Sequence, residues 1–287
     1  MRASGGHRGN LNAPILLALL AAAAVGAWLA WRSRRRARRT RLRAQELPAD
    51  ALRLLDARLP LHRHMPDALR GELHGCINVF LDEKRFVGCG GFEVTEEVRL
   101  TVAGWACLLL LGGRSDYYPG FTTILIYPGA FIAPEVVHDD LVEIHEAHER
   151  SGESWPRGPV VLSWEDVEEG IAAAEDGYNV VLHEFAHKLD EENAGMDGLP
   201  ALDDPEQYRR WAVVLGREYA SLQQDVRRGR YGVIDEYGIE SPSEFFAVAT
   251  EAFFVRPLDL EDEHPELYAQ MAAFYRVDPA RWLGTIS

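Results

Sequence analysis

Cysteine is scarce in this sequence, which has only three among its 287 residues. Cys76, Cys89 and Cys107 lie far apart, and none of them belongs to a CxxC pair. This spacing excludes a disulfide framework and a zinc site built from thiolates. Cys107 also lies in the apolar run GWACLLLLG, which is typical of a protein core. We therefore expect the three thiols to be reduced and structural.

Basic residues are also scarce after the first 45 positions. Residues 1–45 contain ten arginines and no acidic residue, whereas the rest has 20 basic and 45 acidic residues. The later part of the chain therefore has a formal charge of −25, within a total of −15. A surface this acidic repels the phosphates of nucleic acids. We therefore expect no nucleic-acid partner.

Long apolar runs are absent except for one near the N-terminus, at residues 13–31, which is long enough to cross a bilayer as a helix. Eight arginines follow it within residues 32–45. By the positive-inside rule they place the rest of the chain in the cytoplasm, against anionic headgroups. A disordered basic arm is the alternative. The sequence thus predicts a tail (1–12), a transmembrane helix (13–31), an arginine-rich juxtamembrane segment (32–45) and one domain (46–287) on the cytoplasmic side of the inner membrane.

The domain at residues 46–287 has no long linker, repeat or low-complexity tract. Its apolar periodicity indicates a mostly helical fold with a small sheet, and the acidic stretch 133–152 is typical of a loop or ribbon. Helices are predicted near 48–59, 66–81, 95–111, 165–174, 205–228 and 242–255, and strands near 121–128 and 159–164.

The stretch NVVLHEFAHKLD, at residues 179–190, carries the strongest chemical signal. On a helix, its apolar residues cover one arc, while His183 and His187 fall one turn apart on the opposite side. Both imidazoles can then reach one metal ion, and Glu184 lies beside the pair. Zinc suits this arrangement, because it activates water and polarises a carbonyl while a glutamate acts as general base. The structural alternative is an ordinary helix with two surface histidines.

A catalytic zinc needs a third protein ligand, and the residues alone leave its identity open. Asp190 lies one turn beyond His187 and is better placed to hydrogen-bond a ligand histidine. Glu244 and Glu251 are seven residues apart and share one face of a predicted helix, although Glu244 also fits a capping box with Ser241. A separate histidine cluster is typical of a solvated loop and is the weakest alternative: His138, His145 and His148.

Several motifs together resemble the Mlc titration factor A family of zinc-dependent peptidases. They occur in the order TVAGWACLLLL, ILIYPGAF, SGESWPRGPVVLSWEDV, DGYNVVLHEFAHKLD and ESPSEFFAVATEAFF. The resemblance implies that Glu244, 57 positions after His187, is the third zinc ligand. Glu251 then becomes a supporting or packing residue. Tyr237 matches a family tyrosine seven positions before that ligand, which implies a hydrogen bond to the oxyanion of the reaction.

The same resemblance implies an α+β, zincin-like fold akin to the catalytic core of anthrax lethal factor. It also implies one Zn²⁺ per chain and aminopeptidase-like action on a peptide or protein substrate. Such enzymes bind substrate along a sheet edge, for which residues 121–127 and 159–164 are the candidates. The family's name-giving partner is a transcriptional repressor, but the predicted anchor departs from the soluble enterobacterial members and puts that partnership in doubt.

Two other functional hypotheses stay open. The first is a regulatory protein that sequesters a transcription repressor and uses zinc mainly for structure. Glu184 argues against a purely structural site, because a general base has no role there. The second is a metal hydrolase that acts on a non-peptide amide.

Overall fold

The computed structural model describes residues 12–113, 116–129, 152–154, 158–173, 176–193 and 195–284. The chain divides between Gln45 and Glu46 into two compact units. The predicted loop at 133–152, with His138, His145 and His148, lies almost entirely outside the described residues.

The first unit contains one long helix, α1 (Asn12–Arg43). Its apolar side chains from Leu17 to Trp31 are exposed. The guanidinium groups of Arg32 and Arg35 lie over the rings of Trp28 and Trp31, at 5.3 and 5.8 Å from the ring centroids.

The transmembrane helix predicted at 13–31 is not supported. Within the described part of the chain, no helix combines the length and the apolar character that crossing a membrane requires.

The second unit is mostly helical with a small sheet, so the α+β prediction is confirmed. Short 3₁₀ turns connect several of its elements, among them Pro60–Arg63 and Glu236–Ile239. Its helices and strands are α2 (Ala49–Arg58), α3 (Asp67–Glu83), β1 (Arg85–Gly88), α4 (Glu96–Leu108), β2 (Thr123–Tyr127), β3 (Gly152–Ser154), β4 (Val160–Ser163), α5 (Trp164–Ala172), α6 (Val180–Asp190), α7 (Pro205–Arg227), α8 (Pro242–Val255), α9 (Pro257–Glu263), α10 (Pro265–Tyr275) and α11 (Pro279–Leu283).

The described residues form a sheet of four strands in the order β1-β2-β4-β3. β1, β2 and β4 run parallel, whereas β3 is antiparallel to β4. The two strands predicted as substrate-binding edges, β2 and β4, are therefore inner strands, and that prediction is wrong. The edges among the described residues are β1 and β3, which are too short to show an alternating pattern in the sequence.

Both helices that build the site, α6 and α8, begin at residues whose side chains cap them. Asn179 Oδ1 accepts the Leu182 N–H at the start of α6, and Ser241 Oγ accepts the Glu244 N–H at the start of α8. Pro242 occupies the first position of α8, where a missing N–H costs nothing. Each cap therefore fixes where its helix begins, and with it which residues face inward.

Helices α6 and α8 pack against each other in the core of the second unit. On one side of α6, the Phe185 ring lies 5.7 Å from the Phe80 ring and 4.9 Å from the Tyr118 ring, measured between centroids. Helix α8 is buried along nearly its whole length, with its aromatic residues against α10. This packing sets the polar face of α6 against the first turns of α8.

Candidate metal centre

Helix α6 carries both histidines of the sequence motif. Its apolar face is buried as the periodicity predicts, with Leu182 and Phe185 fully buried. The polar face is buried too: Glu184 and His187 are only 3% and 5% exposed. Surface histidines on an ordinary helix, the structural alternative, would lie open to water. Because buried polar groups must find partners, the contacts of this face determine its chemistry.

Three side chains converge at this face. Glu244 Oε2 lies 3.0 Å from His183 Nε2 and 3.2 Å from His187 Nε2, and the two histidine nitrogens are 3.2 Å apart. One ligand atom from each of the three residues lies within 4.8 Å of the others, so the group could hold a metal ion. Two imidazoles and one carboxylate are a donor set found in catalytic zinc sites.

Glu251 contacts the opposite side of the His183 ring. Its Oε1 lies 2.8 Å from His183 Nδ1, and its Oε2 accepts the backbone N–H of Asn179. A carboxylate on Nδ1 orients the ring and leaves the Nε2 lone pair for a metal. Helix periodicity could not tell which of the two glutamates joins the histidines. In the structure, Glu244 faces the Nε2 atoms of both histidines, whereas Glu251 supports the His183 ring from its other side.

His187 is supported by a relay of two side chains. Its Nδ1 lies 3.0 Å from Ser243 Oγ, and the Ser243 hydroxyl donates to Asp190 Oδ2 over 2.9 Å. Asp190 Oδ2 also accepts the Gly198 N–H at 2.8 Å. The sequence predicts a direct hydrogen bond between Asp190 and a histidine of the motif, whereas Asp190 reaches His187 through Ser243, which the sequence prediction missed. The only available signal was its position directly before Glu244.

The capping box predicted at the start of α8 forms only in part. Ser241 accepts the Glu244 backbone N–H at 3.1 Å, while the Glu244 carboxylate points to the two histidines. The backbone N–H of Glu244 thus takes part in the helix cap, while its carboxylate contacts both histidines.

Glu184 lies beside the three converging groups and is buried. Its Oε2 has no hydrogen-bond partner among the described residues. Burial raises the pKa of its carboxyl, and nearby His183 and His187 only partly offset this effect. A buried carboxylate with a free oxygen and a raised pKa is suited to accept a proton near neutral pH.

The ionisation of His183 and Glu244 is strongly shifted in opposite directions. Burial alone would lower the pKa of His183, but its hydrogen bonds to Glu244 and Glu251 outweigh it and raise that pKa well above the usual range. Burial would likewise raise the pKa of Glu244, yet the two histidines hold it well below its ordinary value. Glu244 is therefore a carboxylate at neutral pH, the form that ligates a metal.

Tyr237 lies at the rim of the same site. It belongs to the 3₁₀ turn Glu236–Ile239, whose start is fixed by Asp235 accepting the Tyr237 N–H at 2.7 Å. The Tyr237 ring is half-buried, with its centroid 6.0 Å from that of His183. The structure thus brings together all five residues that the sequence singled out: His183, Glu184, His187, Tyr237 and Glu244.

Comparison with known proteins identifies the family of this chain. The model of the family described as "Glucose-regulated metallo-peptidase M90" matches residues 31–276. An uncharacterized protein of Synechocystis sp. is 37% identical over 241 residues, which cover 83% of this chain and 88% of the relative. Mlc titration factor A of Yersinia pestis is 32% identical over 237 residues, which cover 80% of this chain and 87% of the relative. The chain therefore belongs to the M90 family of glucose-regulated metallo-peptidases, which includes Mlc titration factor A.

Proposed function

We propose that this protein is a zinc-dependent metallopeptidase that hydrolyses peptide bonds. The observation that carries the proposal is the convergence of His183, His187 and Glu244 beside the buried Glu184. The first three would hold the ion, and their two nitrogens and one carboxylate oxygen fit Zn²⁺. When bound, zinc supplies Lewis-acid polarisation of the scissile carbonyl and lowers the pKa of water.

Two residues would move or hold protons during the reaction. Glu184 takes a proton from the attacking water and passes it to the departing amine, which its raised pKa and its unpartnered Oε2 support. Tyr237 donates its O–H to the oxygen that gains negative charge, consistent with its position beside His183. Glu251 and Ser243 keep the two histidine rings in the tautomer that leaves Nε2 without a proton.

A peptide substrate would bind as an added strand on the sheet. β3 is the edge strand that packs against α6, and it runs antiparallel to its neighbour β4. Its outer backbone groups can pair with an extended peptide near the metal centre. The family resemblance favours aminopeptidase-like cleavage, in which the substrate's N-terminal residue is removed.

We propose a regulatory role as the second candidate function. The observation that favours it is the name of a relative 32% identical to this chain, Mlc titration factor A. In this proposal the protein captures a transcriptional repressor, and capture does not need Glu184, so binding and hydrolysis can coexist on one chain.

We also propose that the first unit places the protein at the cytoplasmic face of the inner membrane. The exposed apolar residues of α1 and the arginines of residues 32–45 support it, since basic side chains next to apolar ones favour anionic lipid surfaces.

The test of the peptidase proposal compares the zinc-loaded full chain with Glu184→Gln on a mixed peptide library. We expect wild type to cleave and Glu184→Gln to keep one zinc but lose at least about 10²-fold in rate, because only the base is removed. Glu266→Gln, at an exposed glutamate on α10, is the matched control and should cleave like wild type. Equal cleavage by Glu184→Gln would contradict the assignment of the base. If wild type holds zinc but does not cleave, the regulatory function becomes the better reading.

A further inference from the structure

A second pair of histidines lies outside the candidate metal centre. His62 belongs to the 3₁₀ turn Pro60–Arg63, and His74 belongs to α3. Their Nε2 atoms are 2.8 Å apart, and His62 Nδ1 lies 2.7 Å from Asp56 Oδ1 on α2. At this distance one Nε2–H donates a hydrogen bond to the other Nε2. Two nitrogens that can each bind a metal therefore lie side by side.

One histidine of the pair is buried, and the other can be reached from solvent. His62 is 2% exposed, and its two ring nitrogens contact Asp56 on α2 and His74 on α3. His74 is half-buried, and the Asp56 side chain is 38% exposed. A small solute can therefore reach the pair from the side of His74 without unfolding the core.

The pair repeats the arrangement of half the metal centre. There, Glu251 holds His183 Nδ1 at 2.8 Å while His183 Nε2 meets His187 Nε2 at 3.2 Å. Here, a carboxylate again holds the Nδ1 of one ring, and its Nε2 again meets the Nε2 of a second ring. Carboxylate–histidine–metal chains of this kind fix the tautomer that offers Nε2 to an ion.

We propose that His62 and His74 form a second metal site, which takes a divalent ion that prefers imidazole, with Zn²⁺ as the representative. The ion binds both Nε2 atoms, and water occupies its remaining positions. It takes the place of the hydrogen bond between the rings, which separate slightly to admit it. His74 then carries its ring proton on Nδ1 instead of Nε2. Both rings stay neutral, and binding of the ion releases no proton.

The charge around the pair bears on how strongly an ion binds. Burial, followed by the nearby His62 and Arg70, lowers the pKa of His74 to about 4. His74 is therefore neutral at pH 7, and an incoming ion does not compete with a bound proton. Arg70 also repels a cation, and the site has only two protein ligands. The second site therefore fills after the first, at higher zinc concentration.

The test measures zinc bound to the full-length protein by equilibrium dialysis against rising Zn²⁺ at pH 7.5. We expect wild type to bind one equivalent more than His74→Gln, whose amide can still donate to His62 but is a poor zinc ligand. The matched control is His64→Gln, since His64 lies two residues from His62 but outside the pair. This control should bind as much zinc as wild type.

Two further readouts keep the test decisive. Asp56→Asn should weaken the second equivalent about 10-fold or more and leave the first unchanged, because it removes only the carboxylate behind His62. Thermal unfolding followed by circular dichroism shows whether each variant is folded, and Asp56→Asn replaces His74→Gln if the latter is not. The proposal is overturned if wild type binds no second equivalent, or if the folded variants keep it with unchanged affinity.

Discussion

Ser243 has a larger role than its size suggests, because its hydroxyl connects His187 to a buried carboxylate. Its Oγ accepts from His187 Nδ1 and donates to Asp190. Burial raises the pKa of Asp190, so this carboxylate depends on the few hydrogen bonds that it has.

We therefore expect Ser243→Ala to weaken zinc binding by about 10- to 100-fold, since the His187 ring loses the group that orients it. Competition with a chelating dye would measure the change in affinity. Ser221→Ala, at an exposed position on α7, is the control and should bind zinc like wild type. Unchanged affinity in Ser243→Ala would show that the relay does not position His187.

At the scale of single residues, the sequence predicts one half of the centre better than the other. His183, Glu184 and His187 lie within five positions, so helical periodicity alone brings them together. Glu244 is 57 positions away from His187 and could be chosen over Glu251 only through the family resemblance. Ser243 was missed because a serine beside a capping residue has no distinctive spacing.

At the scale of elements, the start of α8 is held against the loop that follows α6. Gly198 has a positive φ of 73°, and a Cβ there would overlap the backbone carbonyl of Pro242. The same glycine donates its N–H to Asp190, which supports His187 through Ser243. Gly198 therefore serves both the close backbone contact and the support of His187.

We expect Gly198→Ala to lower the free energy of unfolding by about 2 kcal/mol or more, because a side chain there meets both unfavourable φ and steric overlap. It should also weaken zinc binding, since the N–H to Asp190 shifts. Urea denaturation and zinc affinity would measure both effects. Gly216→Ala, with open space around its Cβ on α7, should instead stabilise the protein by up to about 1 kcal/mol. A stable Gly198→Ala would contradict this account.

The sequence predicted the long helices more successfully than the strands. Helices α3, α6, α7 and α8 have apolar periodicity, and a side-chain cap or a proline marks where each begins. β1 and β3 have four and three residues, too few for an alternating pattern. The order of strands depends on pairing between distant segments, which is why β2 and β4 were wrongly expected at the edges.

At the scale of the whole molecule, charge is divided unequally between the two units. The first 45 residues contain ten arginines and no acidic residue, while the rest of the chain has a formal charge of −25. An anionic surface attracts the first unit and repels the second, so the chain should bind such a surface through residues 1–45.

We expect the full chain to bind vesicles that contain anionic lipid, and replacement of four exposed arginines by glutamine to weaken that binding at least about 100-fold. Each basic residue near such a surface contributes about 1 kcal/mol. Vesicle sedimentation at two salt concentrations measures the effect. The four positions are Arg32, Arg34, Arg36 and Arg41.

The matched control for this prediction replaces four exposed arginines of the second unit, which should leave binding unchanged. Equal loss in both variants would contradict a specific role for the first unit. The control positions are Arg209, Arg210, Arg227 and Arg228.

The two contacts of Glu251 have a consequence for how the protein acquires its ion in the cell. One oxygen of this carboxylate holds the backbone at the start of α6, and the other holds the His183 ring. Both contacts are made between protein groups, so they belong to the fold itself. Under the proposed function, loading of the metal would then follow folding as a separate maturation step, and chain made without zinc would keep its fold but stay inactive.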